Sequence, residues 1–503
     1  PPPSSPPSPP PSPPPSSPST TPSPLPPLNC SLVDSTGHLD LTSHPYIVIP
    51  NNAFQGCTNL TTASFPPSLE EIGDYAFYVS GLTNLDLSGT NVTEIGYSAF
   101  YQCTSLTTVS FPATLQEISE WAFGKIGITS LNLTGTSVTK IGNKAFDGCT
   151  GLTTALFPAS LNEIEDEAFS LSGLTSLNLS GTSVTKIGDE AFNRCSGLTT
   201  ASFPSTLEEI GIGAFDGAGL TSLDLSGTIV TKVGNGAFYH CTNLITASFP
   251  STLEEIGPQA FRESGLTSIN LYGTSVTKID NYVFYQCTSL TTASFPVTLN
   301  EIGEHTFDES GLTSLDLSGT SVTEIGYSAF SFCDDLTTAL FPSSLREISG
   351  RAFYDTGLIS LCLSHTDISI IGSESFFNCG SLTTVSFPGT IPDIGTDAFQ
   401  HTQFHGSNFT GLNTSACVSP SPSSSPSSSP SFSPSSSPSL PPLPPLNCSL
   451  VDSTGHLDLT SHPYIMIPNN AFQGCTNLTT ASFPSTLEEI GIGAFDGAGL
   501  TSL

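Results

Sequence analysis

Phenylalanine recurs at intervals of 23 residues from Phe54 to Phe399, sixteen times and without one insertion. A strict period of this kind defines a solenoid, in which each repeat is one supersecondary unit that buries its apolar side only by stacking on its neighbours. The 503 residues therefore count repeats, because the core of a solenoid grows along one axis and escapes the size limit of a compact domain.

Two repeat types alternate, so the true unit is 46 residues. One reads A-F-x-x-C-T-x-L-T-T-A-S-F-P-x-T-L-x-E-I-G, as over 53–73; the other reads A-F-x-x-S-G-L-T-S-L-D-L-S-G-T-S-V-T-K-I-G, as over 168–188. Residues 60–65 and 82–87 have the period-two pattern of strands. Ala63, Phe65, Leu85 and Leu87 are expected inside, with Thr62, Ser64, Asn84 and Asp86 outside. Prolines 66, 112, 158, 204, 250, 296, 342 and 388 follow alternate strands and should end their ladders, having no N–H to give. Leu69, Ile72, Ala76 and Phe77 supply the opposite wall, expected as turns and short helical pieces. Unequal spacing of the two walls would curve the stack and leave the strands on its concave face.

The pattern L-x-x-I-G-x-x-A-F-x-x-C-x-x-L-x-x-x-x-F-P resembles the BspA-type (Treponema pallidum-type) leucine-rich repeat, over roughly 39–410 and again over 457–503. The resemblance implies a leucine-rich-repeat solenoid of parallel short strands, of a class found on bacterial and protist surfaces. The S-G-L-T-S-L-D-L-S-G-T repeat departs from that pattern in lacking the Cys and the Pro, so the resemblance carries the fold further than any ligand.

The chain reads as beads on rods: a Pro/Ser linker over 1–28, a capped solenoid over 29–417, a second Pro/Ser linker over 418–446, and the start of a second solenoid over 447–503. The linkers cannot bury a core and favour polyproline II, at about 3.1 Å per residue. Their S-P and S-P-P-P runs resemble those of hydroxyproline-rich cell-wall glycoproteins. Residues 29–66 recur at 447–484 with one change, Val48 to Met466. The sequence opens inside a proline tract and stops in mid-repeat, and is expected to be a piece of something longer.

Ten basic against 43 acidic residues give a formal charge of −33, which repels phosphate backbones and anionic lipid and argues against nucleic acid as a partner. No apolar run is long enough to span a bilayer, so no direct membrane insertion is expected within this sequence. Phosphate loops, HExxH, CxxC and G-x-S-x-G are missing from the sequence, and the nine histidines have no ligand spacing. Accordingly no catalytic residue, metal ligand or cofactor is assigned, and the chain is not expected to be an enzyme.

Eight of the 13 cysteines, at 57, 103, 149, 195, 241, 287, 333 and 379, are spaced by 46 residues. Stacked turns about 4.8 Å apart put them roughly 10 Å from one another, too far for a disulfide or a metal stack, so they read as core thiols. Ser80, Ile126, Ser172, Ala218, Ser264, Ser310 and Thr356 occupy the same level in the intervening turns. At the caps, Cys30 to Cys57 and Cys417 to either Cys379 or Cys362 are the candidate bridges. Cys362 has His365 and Asp367 nearby, but one degenerate repeat makes no nucleophilic site.

The outward ladder is the candidate binding surface: Asp86, Ser110, Asn132, Asn178, Ser202, Asp224, Ser248, Asn270, Ser294 and Asp316. Its bland reading is a solvated strand surface copied by duplication. Its functional reading is a concave face that takes a protein or glycan ligand. Sequons at Asn29, Asn59, Asn91, Asn132, Asn178, Asn408, Asn413, Asn447 and Asn477 are candidate N-glycosylation sites. Together these features point to an extracellular, cell-surface or cell-wall protein acting in adhesion or matrix structure through repeated modules. The alternatives are a receptor-like ectodomain recognising a protein or glycan, and an ice- or mineral-binding surface.

Overall fold

The computed structural model describes residues 27–404 and short stretches between 451 and 498. The chain divides into two compact units, 1–420 and 421–503.

In the first unit each 23-residue repeat makes one turn with two walls. The second wall is a single parallel sheet of sixteen two-residue strands, running from Val48–Ile49 to Asp393–Ile394. Its register is constant, with Glu71 opposite Glu94 and Ile72 opposite Ile95. Alternation sends Ile72 to Ile348, with Val233 at one position, into the core and turns the Glu or Lys before each outward, exposed or half-buried.

On the first wall three-residue strands pair only two by two, as Asn84–Asp86 with Thr108–Ser110 and Ser176–Asn178 with Thr200–Ser202. Partners within a pair lie 24 residues apart, while Thr62 of one pair and Asn84 of the next are 22 apart. The cause is legible in the repeat types: the Cys-type turn has one residue more between its Phe and its strand, so Leu60 follows Phe54 by six whereas Leu82 follows Phe77 by five. The proline after each Cys-type strand also removes a donor, as expected. What crosses from strand pair to strand pair is one backbone bond, the Thr83 N–H donating to the Thr61 carbonyl at 2.9 Å, joined on the same carbonyl by the Thr83 hydroxyl at 3.1 Å. Leu85 and Leu87 are buried and Asn84 and Asp86 exposed; in the first turn Thr62 to Phe65 are all half-buried.

Turns form much of the second wall, but the short helical pieces expected there do not form. Among the described residues the one helical element is the 3-10 turn Cys30–Leu32. The reason is where the amides point. Tyr75, Phe77 and Val79 donate to the carbonyls of Tyr97, Ala99 and Tyr101 in the next turn, at 2.8, 2.8 and 2.9 Å. Those donors therefore close bonds between turns and not within a helix. The geometry needs a left-handed residue on each side of the A-F pair, φ +54° at both Tyr75 and Val79. A non-glycine residue there costs about 1–2 kcal/mol, and Gly213 and Gly217 hold the same two positions in a later turn, at φ +58° and +65°.

The core is a column of phenylalanines. Phe54 to Phe399 stack ring on ring, with centroids 5.1–5.7 Å apart and nearly parallel planes. In alternate turns the Phe of the F-P pair strikes the column edge-on, as Phe111 does on Phe123 at 5.7 Å and 89°. The N-terminal end is stapled by a disulfide between Cys30 and Cys57, with Cα atoms 5.5 Å apart.

The second unit repeats the pattern: His456–Asp458 pairs with Thr480–Ser482, Met466–Ile467 pairs with Glu489–Ile490, and Phe472 stacks on Phe495 at 5.3 Å.

Candidate ligand-binding face

The paired strands bring the predicted ladder together in register. Asp86 lies opposite Ser110, Asn178 opposite Ser202, Asp224 opposite Ser248 and Asn270 opposite Ser294. All are exposed except Ser248, which is half-buried. Asn132 and Asp316 are also exposed, but they face Leu156 and Leu340.

Much of the hydrogen bonding that looked available to a ligand is spent on the scaffold. The acceptor oxygen Oδ1 of Asp86 takes the N–H and the hydroxyl of Ser88 at 3.0 and 2.7 Å, closing an Asx turn at the strand end. Asn132, Asn178, Asp224 and Asp316 do the same with Thr134, Ser180, Ser226 and Ser318. In the adjoining row the hydroxyls of Thr83, Thr153 and Thr175 donate to carbonyls of the preceding turn at 3.1–3.2 Å. The ladder therefore caps its own turns first.

What stands out from it are departures from the repeat. Leu156 and Leu340 take the place of the ladder serine and are 54% and 41% exposed. Tyr272 replaces the Ser or Thr of the S-G-T turn and is 73% exposed; Val297 follows Pro296 and is 63% exposed. These last two flank a groove of about 280 Å³ lined also by Ser294, Asp316 and Ser318. The reading of the repeat consensus passed over all four residues, although each was visible as a large apolar side chain at an outward position of an otherwise fixed pattern.

Of the candidate glycosylation sites, Asn29, Asn59, Asn91, Asn132 and Asn178 are exposed. Asn408, Asn413, Asn447 and Asn477 lie outside the described residues. Asn132 and Asn178 are engaged in their Asx turns on the strand face, and Asn29 caps the 3-10 turn by accepting from Ser31 N–H.

The cysteine column is corrected at its first member, since Cys57 is bridged to Cys30. Cys103, Cys149, Cys195, Cys241, Cys287, Cys333 and Cys379 are buried free thiols. Each donates to the carbonyl of a phenylalanine 26 residues earlier, as Cys103 does to Phe77 at 3.0 Å. Ser80, Ser172, Ser264, Ser310 and Thr356 bring a hydroxyl to the thiol at 3.2–3.3 Å. Burial pushes the thiols up, to about 12 at Cys149 and about 11 at Cys195. A thiol so buried and so weakly acidic is not a nucleophile. The free Cys379 rules out its pairing with Cys417; Cys362 is disulfide-bonded, so it offers no thiol to His365.

Along the second wall the outward row is Lys against Glu in the middle turns, with Lys278 3.2 and 2.9 Å from Asp280 and Glu301. Further on it becomes Glu301, Glu324 and Glu347 in adjacent strands. Burial, then repulsion from Glu347 and Glu301, raises the Glu324 carboxyl. Among the described residues no group of three His, Cys, Asp or Glu is placed to hold a metal ion, and no helix is long and apolar enough to cross a membrane.

Two parallel strand walls on a stacked phenylalanine column, with a 23-residue turn, define a leucine-rich-repeat solenoid. The family model described as "BspA type Leucine rich repeat region (6 copies)" matches residues 35–137, 125–230, 214–321, 311–416 and 453–503, and the chain belongs to that family. Membership makes it a repeat scaffold of the surface-associated, binding kind. None of the curated proteins matches the chain. Among solved structures it is similar to a leucine-rich repeat protein from Bacteroides ovatus, at 23% identity over 90% of this chain and 80% of that one, TM-score 0.38. It is also similar to a leucine rich cell surface protein from Faecalibacterium prausnitzii, at 25% identity over 64% of this chain and 84% of that one, TM-score 0.37. A third is the T. pallidum leucine rich repeat protein, at 26% identity over 38% and 80%, TM-score 0.29.

Proposed function

We propose that this chain is a non-enzymatic extracellular or cell-surface protein that works in adhesion or matrix structure, and that its strand face takes a protein or glycan ligand. The observation that carries the reading is the groove at Tyr272 and Val297. Two of the most exposed large apolar side chains flank it, beside Ser294 and Asp316 of the polar ladder. An aromatic face beside a few fixed polar groups is the composition of a recognition site, and here it interrupts a surface made mostly of Ser, Thr, Asn and Asp. The sequons and Pro/Ser rods support an extracellular setting, and repeated modules would multiply weak contacts through effective concentration.

The test is to probe arrays of glycans and of matrix peptides with the labelled full chain and with Tyr272→Ser, which restores the repeat consensus. Retention by the native chain on a defined set of spots, lost in the variant, supports the reading. Equal retention by Tyr272→Ser and by Val297→Ser refutes it.

A further inference from the structure

On the A-F turn edge, away from the strand face, five aromatic side chains form one continuous strip. Tyr75 meets Tyr78 at 5.6 Å and Tyr97 at 5.2 Å; Tyr78 stacks on Tyr101 at 5.6 Å; Tyr101 meets Trp121 edge-on at 5.1 Å. All five are half-buried. Lys125 and Lys144 border the strip, their ammonium groups 6.0 and 5.1 Å from the Trp121 ring. Folding does not require these aromatics. The position held by Tyr78 and Tyr101 is Gly124, Asp147, Ser170 and Asn193 in the four turns that follow, where the Phe column stacks just as well.

We propose that this strip docks the Pro/Leu end of the Pro/Ser rod, residues 440–445, from a second copy of the chain. Three observations select that occupant. First, residues 440–445 read L-P-P-L-P-P, a three-residue repeat, and three residues are one turn of polyproline II, about 9.3 Å. Two turns of the solenoid rise about 9.6 Å. Successive turns of the rod thus meet equivalent places on the strip.

Second, a polyproline II backbone has no internal hydrogen bonds and presents bare carbonyls, and Pro-rich segments are recognised by aromatic-lined grooves. The strip offers ring faces for the prolines, with tyrosine hydroxyls and the ammonium groups of Lys125 and Lys144 to donate to the carbonyls. Third, the whole chain carries −33, so two solenoids repel each other, whereas residues 418–446 contain no charged residue. The two Pro/Ser rods, 1–28 and 418–446, are the uncharged parts of another copy that approach without electrostatic cost, and of the two only 418–446 carries the doubled L-P-P-L-P-P. Docking would link solenoids into a network, and the contact is independent of whatever ligand the Tyr272 groove takes.

Trp121 is the one tryptophan of the chain, so its emission reports on the strip alone. The experiment is sedimentation of the full chain over a concentration series, with Trp121 emission followed in parallel. A peptide of residues 436–445, which has no Tyr or Trp, is the competitor. Expected are reversible self-association, its reversal by excess peptide with a saturable change in Trp121 emission, and no effect of a peptide with glycine for every proline. Tyr101→Ser and Tyr78→Ser, with unchanged circular dichroism, should each weaken association about tenfold or more, the equivalent of ~1.4 kcal/mol. A monomer at every concentration overturns the proposal. So does association that the peptide does not reverse, or a Trp121 response to oligosaccharides and not to the peptide.

Discussion

Phe123→Ala should cost more than Phe146→Ala, and the difference tests the core directly. Both rings are fully buried and both are stacked on two neighbours in the column, Phe100 and Phe146 for the first, Phe123 and Phe169 for the second. Only Phe123 also receives an edge-on ring, Phe111. Truncating a buried Phe costs about 3–5 kcal/mol in lost transfer and cavity terms, and an aromatic pair adds about 0.5–1.5 kcal/mol beyond its area. Phe146→Ala should therefore fall in the 3–5 kcal/mol range and Phe123→Ala about 0.5–1.5 kcal/mol beyond it. Comparing two variants of one scaffold cancels most of the error in the unfolded reference. The assay is urea unfolding read by Trp121, which sits in the same turn as Phe123. Because a solenoid couples only nearest neighbours, the local reporter is needed. Equal losses would refute the alternating edge-on contact, and a native-like curve for Phe146→Ala would refute its place in the core.

Unfolding without reductant should expose seven titratable thiols among the described residues, and nine would show that the Cys30–Cys57 bridge is not formed. The same thiols make the protein sensitive to alkali. Burial raises their folded pKa, to about 11 at Cys195 and Cys287 and about 12 at Cys149, Cys241 and Cys333, from the ordinary value of 9.0. Above pH ~9 the unfolded chain releases protons that the folded one keeps, so stability falls as pH rises, by about 1.4 kcal/mol per pH unit for each thiol. Urea midpoints between pH 8 and 10.5 measure the slope, and Cys149→Ala should make it shallower; a flat profile would contradict the burial. Leu171 is exposed and left-handed at φ +57°, in a column where Gly148 and Gly217 do the same work. Leu171→Gly should then stabilise by up to about 1 kcal/mol, and a lower urea midpoint would show that the strain is not real.

The phenylalanine register determined the turn, and with it the stacking, the inward and outward faces and the level of the thiols. These follow from sequence alone because a solenoid has one degree of freedom, its period, and 23 residues repeated sixteen times leave no other. Asp86, Asn178 and Asn270 could be placed on one outward row for the same reason. Three things needed the tertiary structure. The second wall became a continuous sheet because the amides around each A-F pair donate to the next turn, a choice that depends on the neighbour and not on local propensity. The first wall broke into pairs because one residue is shifted between the two repeat types, and only strand pairing turns that shift into 24 and 22. The proposed contact surfaces also needed it. Consensus positions such as Asp86 are engaged by their own turns, and it is the exceptions, Tyr272 and Val297 on one face and Tyr101 and Trp121 on the turn edge, that stacking gathers into the groove and the strip on which the two proposals rest.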